Sequence, residues 1–179
     1  MKKHCMILPL ALILCFMVGC QDKAALAELE EFKAQKEVEE QNKALMHKSF
    51  EEWNKGNSEF FMEATTPAYV YYSPSGNPNP NSREDAVESV KLFRKGFPDI
   101  SFSIEDIIAA GDITITRYVI RGTHEGEFMD IHATGKKIEV SGIIISRIEN
   151  GKWVEEWEEM DTLGLMQQLG MELKPKEEK

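Results

Sequence analysis

Residues 147–170 read "RIENGKWVEEWEEMDTLGLMQQLG". The Asn150-Gly151 pair is a two-residue hairpin signal, so the β-branched run before it and the run after it pair as antiparallel strands. The second run alternates oddly. Trp153, Glu155, Trp157, Glu159 and Asp161 fall on one face, and Val154, Glu156, Glu158 and Met160 on the other. Neither face is cleanly apolar or cleanly wet. Such a strand suits the closing edge of a cavity, with one face to an interior and one to water or a partner. It stops at Asp161, ahead of an apolar "LGLM".

Upstream, "SFSIEDIIAA", "ITITRYVIRGTHEGEF" and "KKIEVSGIIISRIE" are further β-branched runs, separated by "GD" and "ATGK" turns. Before them the periodicity is helical. In "NKALMHKSFEEWNKGN", residues Leu45, Met46, Ser49, Phe50 and Trp53 make one stripe, and Gly56 ends it. "SEFFMEAT" fits a second short helix stopped by Pro67. "AYVYYSPSGNPNPNS" gives a short strand and a Pro/Gly/Asn loop. Ser82 and Asp85 then form a capping-box start for a third helix whose apolar face is Ala86, Val87, Val90 and Phe93. Three helices followed by about four long strands predict an α+β domain over residues 41–170. Its helices pack on a curved antiparallel sheet, and the open mouth of that cone is a natural small-molecule cavity.

The chain has 179 residues, and its first 20, "MKKHCMILPLALILCFMVGC", read as a signal peptide with a basic start and a short apolar run. "MVGC" resembles the lipobox of bacterial lipoproteins, which implies a lipid-modified Cys20. All three cysteines lie in this leader, so the exported domain must stand on its core without disulfides. Gln21 follows the cysteine and the first aspartate comes one place later, at Asp22. That order leans the resemblance towards the outer membrane in a cell with two membranes. Residues 21–40, rich in Ala, Glu and Lys, read as a charged helical spacer, and 171–179 as a charged tail.

Beyond the leader the chain holds 19 basic and 31 acidic residues. A surface this acidic repels nucleic acid and anionic headgroups, so attachment to a membrane falls to acyl chains on Cys20. Four histidines without clustered spacing give no metal signature, and no glycine loop or nucleophile motif implies a cofactor or covalent catalysis.

"NKALMHKSFEEWNKGN", "FPDISFSIEDIIAAGD", "RGTHEGEF", "ATGKKIEVSGI" and the opening quotation together resemble the SnoaL-like polyketide cyclase or ester cyclase family. That family belongs to the nuclear-transport-factor-2-like superfamily. The resemblance runs unbroken from Gln41 to Gly170 and implies the cone-shaped fold, a homodimer through the sheet face, and one of three functions. The first is acid/base chemistry on a small hydrophobic carbonyl compound. The second is non-catalytic binding of a small apolar ligand by a lipid-anchored module. The third is an interaction module that dimerises through its sheet face, with a vestigial cavity.

By resemblance Asp161 is the acid/base group. Physically, a carboxylate at the apolar end of a cavity gains basicity because desolvation disfavours its charge. Asp161 is equally suited to cap a helix starting at Thr162. His124, in "RGTHEG", is the second catalytic candidate, able to polarise a carbonyl or relay a proton; a structural histidine at a turn is the competing reading. Catalysis by this pair requires both side chains to reach one cavity. Four glutamates cannot all ionise in one pocket. Strict alternation puts Glu159 and Glu155 with Asp161, and Glu159 is the pocket candidate; a bulge would switch the set. Trp53, Trp157 and Tyr72 are expected pocket walls. Tyr72 and Ile144 stand where the resemblance leads one to expect His and Asp, which leaves a greasier cavity. Arg117 and Arg121 share a strand face, expected to be the outer one, where they pair with glutamates.

Overall fold

A computed structural model describes the backbone of residues 7–73, 81–172 and 174, and the side chains within those ranges from residue 23 onward. The chain divides into two units, Met1–Val38 and Glu39–Lys179. Helix α1 (Ile7–Lys55) contributes to both. In the first unit every described side chain from 23 to 38 is exposed, as a solvated helix with no sustained apolar seam must be. Side chains of the expected leader, Cys20 included, lie outside the described residues. Among the described residues no helix is long and apolar enough to cross a membrane.

The second unit continues with α2 (Ser58–Ala64), β1 (Thr65–Tyr72), β2 (Asn81–Ser82), α3 (Arg83–Gly96), β3 (Ser101–Ala110), β4 (Ile113–Thr123), β5 (Lys137–Glu149), β6 (Lys152–Met160) and α4 (Thr162–Leu169). The six strands form one sheet in the order β2-β1-β6-β5-β4-β3. Four long strands make an antiparallel meander, as the turn signals predict. The sheet is nevertheless mixed, because β1 runs parallel to β6. Pro67 lies inside β1 rather than ending α2; the pairing is irregular between Thr65 and Val70, where a missing N–H is tolerated. Further irregularities in β3 and at the Arg147/Ile148 step bend the sheet around the helices. The loop read after β1 falls at 74–80, outside the described residues.

Local chemistry explains how the helices are held. Asn57 caps α2, and Ser82 with Asp85 closes a reciprocal capping box on α3. The second-unit part of α1 grips the sheet at two backbone points. Asn42 Nδ2 donates to the Gly111 carbonyl and Glu39 accepts from the Gly111 N–H, both at 3.1 Å, which seats the β3–β4 turn. Asn54 exchanges two bonds with Phe102, at 2.9 and 2.7 Å, satisfying edge strand β3 where it has no neighbouring strand. Between helices and sheet lies one apolar core built on Met46, Phe50, Phe61, Phe97, Tyr118, Ile144 and Trp153.

Candidate active site

The phase of β6 decides the site. Arg147 pairs with Glu155, but the next residue of β5, Ile148, pairs with Trp153. Val154 is the extra residue of a β-bulge. Alternation therefore breaks once, and Trp153 (0 % exposed) and Glu156 (4 %) both face the core. From Glu156 onward the inward set is Glu156, Glu158 and Met160. Glu155, Trp157 and Glu159 face outward, so the strict-alternation expectation for Glu159 is corrected. The same shift turns Trp157 outward, and Tyr72, its register partner on β1, also lies outside the cavity, so both expected pocket walls are corrected. These two stack face to face, 5.9 Å between ring centroids, outside the cavity. It is Tyr71, the neighbour of Glu156 in the register, that faces inward.

A cavity of about 580 Å³ opens between α3, the inner face of the sheet and α4. Its walls include the rings of Trp53, Phe61, Phe93, Phe102 and Phe128, while Tyr71, Glu156, Glu158 and Asp161 bring polar groups to it. Of the sequence-predicted residues, Trp53 and Asp161 line this space. His124, Tyr72, Trp157 and Glu159 do not.

Asp161 sits at the exposed rim and is committed to capping. Its Oδ1 accepts from the Gly164 N–H at 2.8 Å, and the Leu165 N–H donates to its backbone carbonyl. A Cβ at Gly164 would come within 2.1 Å of the Asp161 carboxylate and displace it from the cap, so glycine leaves room for this capping geometry. His124 is fully buried against Phe97, 5.1 Å between rings. Its Nδ1 accepts from the Thr134 N–H at 3.3 Å and lies 3.0 Å from the Thr134 hydroxyl, so the ring proton sits on Nε2. Burial pushes the His124 pKa down, keeping the imidazole neutral. It ties the β4–β5 connection together, and it does not share the cavity with Asp161.

The chemistry-bearing cluster is instead on β6. The Tyr71 hydroxyl donates to Glu158 Oε2 at 2.8 Å, and the Tyr118 hydroxyl donates in a short bond to Oε1. Two phenols from β1 and β4 thus clamp one carboxylate. Two strand positions away, Glu156 Oε2 accepts from the Ser146 hydroxyl at 3.0 Å. Tyr69, whose buried hydroxyl makes no hydrogen bond of normal geometry, lies close enough to Glu156 to couple with it electrostatically. Burial, followed by repulsion from Glu158, pushes the Glu156 pKa up to about 8. Burial also raises that of Glu158, with the Tyr118 and Tyr71 hydrogen bonds opposing it. Burial raises both phenols as well, so they stay protonated donors. The cluster therefore sets two buried carboxyls with raised pKa side by side, Glu158 alone carrying two phenol donors that favour its charged form, about 7 Å apart along the strand. Sequence alternation missed this pair because a single bulge is invisible in residue order; "NGKWVEEWEE" with two acids at each phase was the available signal.

Arg121 lies on the outer face, paired with Glu139 at 2.9 Å, and Arg117 is exposed beside it. Ile144, 2 % exposed, is a core residue.

Over residues 43–169 the sequence matches the family described as SnoaL-like polyketide cyclase. Among solved structures it is similar to IdmH of Streptomyces antibioticus, a proposed polyketide cyclase, at 31% identity over 72% of this chain and 98% of that one, with a TM-score of 0.65. It is also similar to AclR of Streptomyces galilaeus, a proposed hydroxylase, at 29% identity over 74% and 97%, TM-score 0.68. A third, TsrD of Streptomyces laurentii, is 26% identical over 73% and 95%, TM-score 0.64. No curated protein matches at a significant level. With its mixed sheet, its helices on one face and its cone-shaped cavity, the chain belongs to the SnoaL-like polyketide cyclase family.

Proposed function

We propose that the protein is a cofactor-independent cyclase-type enzyme acting on a small hydrophobic carbonyl compound, with Glu158 as the acid/base group and Glu156 beside it on the substrate wall. The observation that carries this is the pair of inward carboxyls on β6, one clamped by Tyr71 and Tyr118 and the other held at Ser146, at the wall of an aromatic cavity. Glu158 takes a proton from carbon next to a carbonyl. The resulting enolate attacks a second carbonyl of the same molecule, and the new alkoxide takes that proton back from Glu158. One proton enters the protein and one leaves it, so the net change is one carbon–carbon bond with no redox step. Tyr71 and Tyr118 hold Glu158 in place for this transfer. Asp161 keeps the rim and α4 in position.

Proton abstraction can be tested without the natural substrate. Exchange of the α-hydrogens of 2-tetralone in D2O, followed by mass spectrometry, should exceed the buffer rate and fall at least about 100-fold in Glu158→Gln. Wild-type exchange no faster than buffer would leave the second reading, a module that binds an apolar ligand without turning it over. The commitment of Asp161 to a cap and the seclusion of His124 favour that reading.

The leader motif supports a lipid anchor at Cys20, so we place the domain at the cell envelope; an N-terminal peptide of unmodified mass would contradict it. The outer face of the sheet supports a homodimer. Tyr72, Trp157, Ile145, Ile115 and Ile108 form one continuous cross-strand row over five strands. Arg117 and Glu159 lie in the register rows on one side, Arg147 and Glu155 on the other. Each flank carries both signs, so a two-fold related copy can meet acid with base.

A further inference from the structure

The cavity has an unbalanced charge inventory. Its described lining holds three carboxyl groups, Glu156, Glu158 and Asp161, and not one lysine, arginine or histidine. The 74–80 segment, "PSGNPNP", could add no basic side chain. None of the domain's arginines or lysines lines the described cavity, and several are engaged elsewhere. Arg147 is paired with Asp112 and Glu155, Arg121 with Glu139, and Arg94 donates to the Trp53 carbonyl.

A buried carboxylate without a cation is costly, and a protein has two ways to meet the cost. It can protonate the group, or it can leave the counter-charge to the ligand. The walls favour the second when a ligand is present. Trp53, Phe61, Phe93, Phe102 and Phe128 line the same cavity as the acids, and aromatic side chains attract organic cations while tolerating a hydrophobic body. The formal net charge of −10 adds a long-range field that favours entry of positive ligands.

We infer that the ligand of this cavity carries a single positive nitrogen, a quaternary ammonium or protonated amine, on a hydrophobic carbonyl-bearing body. This deepens the reading of the same cavity as the substrate site and rests on it. Glu156 is the carboxyl that meets the cation, since Glu158 already accepts from two phenols. Because burial holds Glu156 protonated near neutrality, arrival of a fixed positive charge displaces its proton to solvent. Binding of a permanently charged ligand therefore tightens as pH rises.

The test uses benzoylcholine and its uncharged isostere 3,3-dimethylbutyl benzoate, titrated into the full chain by calorimetry between pH 6 and 9. The expectation is that benzoylcholine binds at least about tenfold tighter at pH 8. Its affinity should rise with pH while that of the ester stays flat. In Glu156→Gln the preference should shrink below about threefold and lose its pH dependence. Equal binding of the two probes, or preference for the neutral ester, would overturn the inference and leave the cavity reading standing. Binding of neither would overturn both. The wild-type comparison and its pH profile decide the matter even if the variant does not fold.

Discussion

Gly142 on β5 lies directly beneath the Tyr118 ring. A Cβ built on it would come within 2.3 Å of the phenol oxygen. Tyr118, Gly142 and Met160 are paired in one row across β4, β5 and β6. The missing side chain lets the phenol lean across β5 and reach Glu158 in the adjacent row. Gly142 is therefore a spacing requirement of the site, with no bearing on backbone freedom.

Gly142→Ala should push Tyr118 off Glu158. We expect a loss of about 1–3 kcal/mol of stability from overpacking, measured by urea unfolding, and slower 2-tetralone exchange. Tyr118→Phe separates the two effects. It removes the hydrogen bond without the clash, so it should slow exchange while costing less stability than the alanine change.

Burial of Glu156 predicts a stability profile with a definite sign. Its folded pKa of about 8 lies above the ordinary value of 4.5, so the folded state holds a proton that the unfolded state has released. The Glu156 contribution to stability should then fall as pH rises from about 4.5 to 8 and level off above, with a slope of at most ~1.4 kcal/mol per pH unit, and Glu158, whose pKa burial also raises, acts with the same sign. Glu156→Gln should flatten this limb and be the more stable protein at pH 9. His124 acts with the opposite sign, because burial lowers its pKa below 6.5. Its contribution is lost as pH drops below 6.5, and an equally steep acid limb in His124→Asn would contradict that role.

Asp161 discriminates between capping and catalysis. Asp161→Asn can still accept from the Gly164 N–H, so stability should hold within a few tenths of a kcal/mol and exchange should continue. Asp161→Ala should cost about 1 kcal/mol through loss of the cap. An asparagine variant that is fully stable yet inactive would transfer the acid/base role from Glu158 to Asp161.

The outer row predicts an assembly phenotype. Ile115→Asp with Ile145→Asp puts two charges in the middle of the apolar row, on side chains 41 % and 38 % exposed. Sedimentation equilibrium should find a dimer for the native chain and a monomer for the double variant, with the fold intact by circular dichroism. A native chain that sediments as a monomer at high micromolar concentration would remove the dimer.

Much of the architecture was legible in residue order because its causes are local. Asn150-Gly151 calls for a hairpin, Ser82 and Asp85 cap α3, and a 3.6-residue stripe puts Met46, Phe50 and Trp53 on one side of α1. Each depends on neighbours within a turn or two. The long β-branched runs likewise name the meander, and the order of helices before strands gives the helices-on-sheet arrangement that the family resemblance also implies.

The site was legible only in outline. Sequence placed acids and tryptophans on the closing strand and Asp161 at its end, but Val154 inserts one residue into the ladder and exchanges the two faces of β6. Whether a strand bulges depends on which register lets Trp153 fill the core opposite Ile148, and that is a property of packing between elements. The same holds for Tyr118 and Glu158, 40 positions apart and joined only because Gly142 leaves room between them. Periodicity records which residues alternate; three-dimensional packing decides which phase of the alternation faces inward.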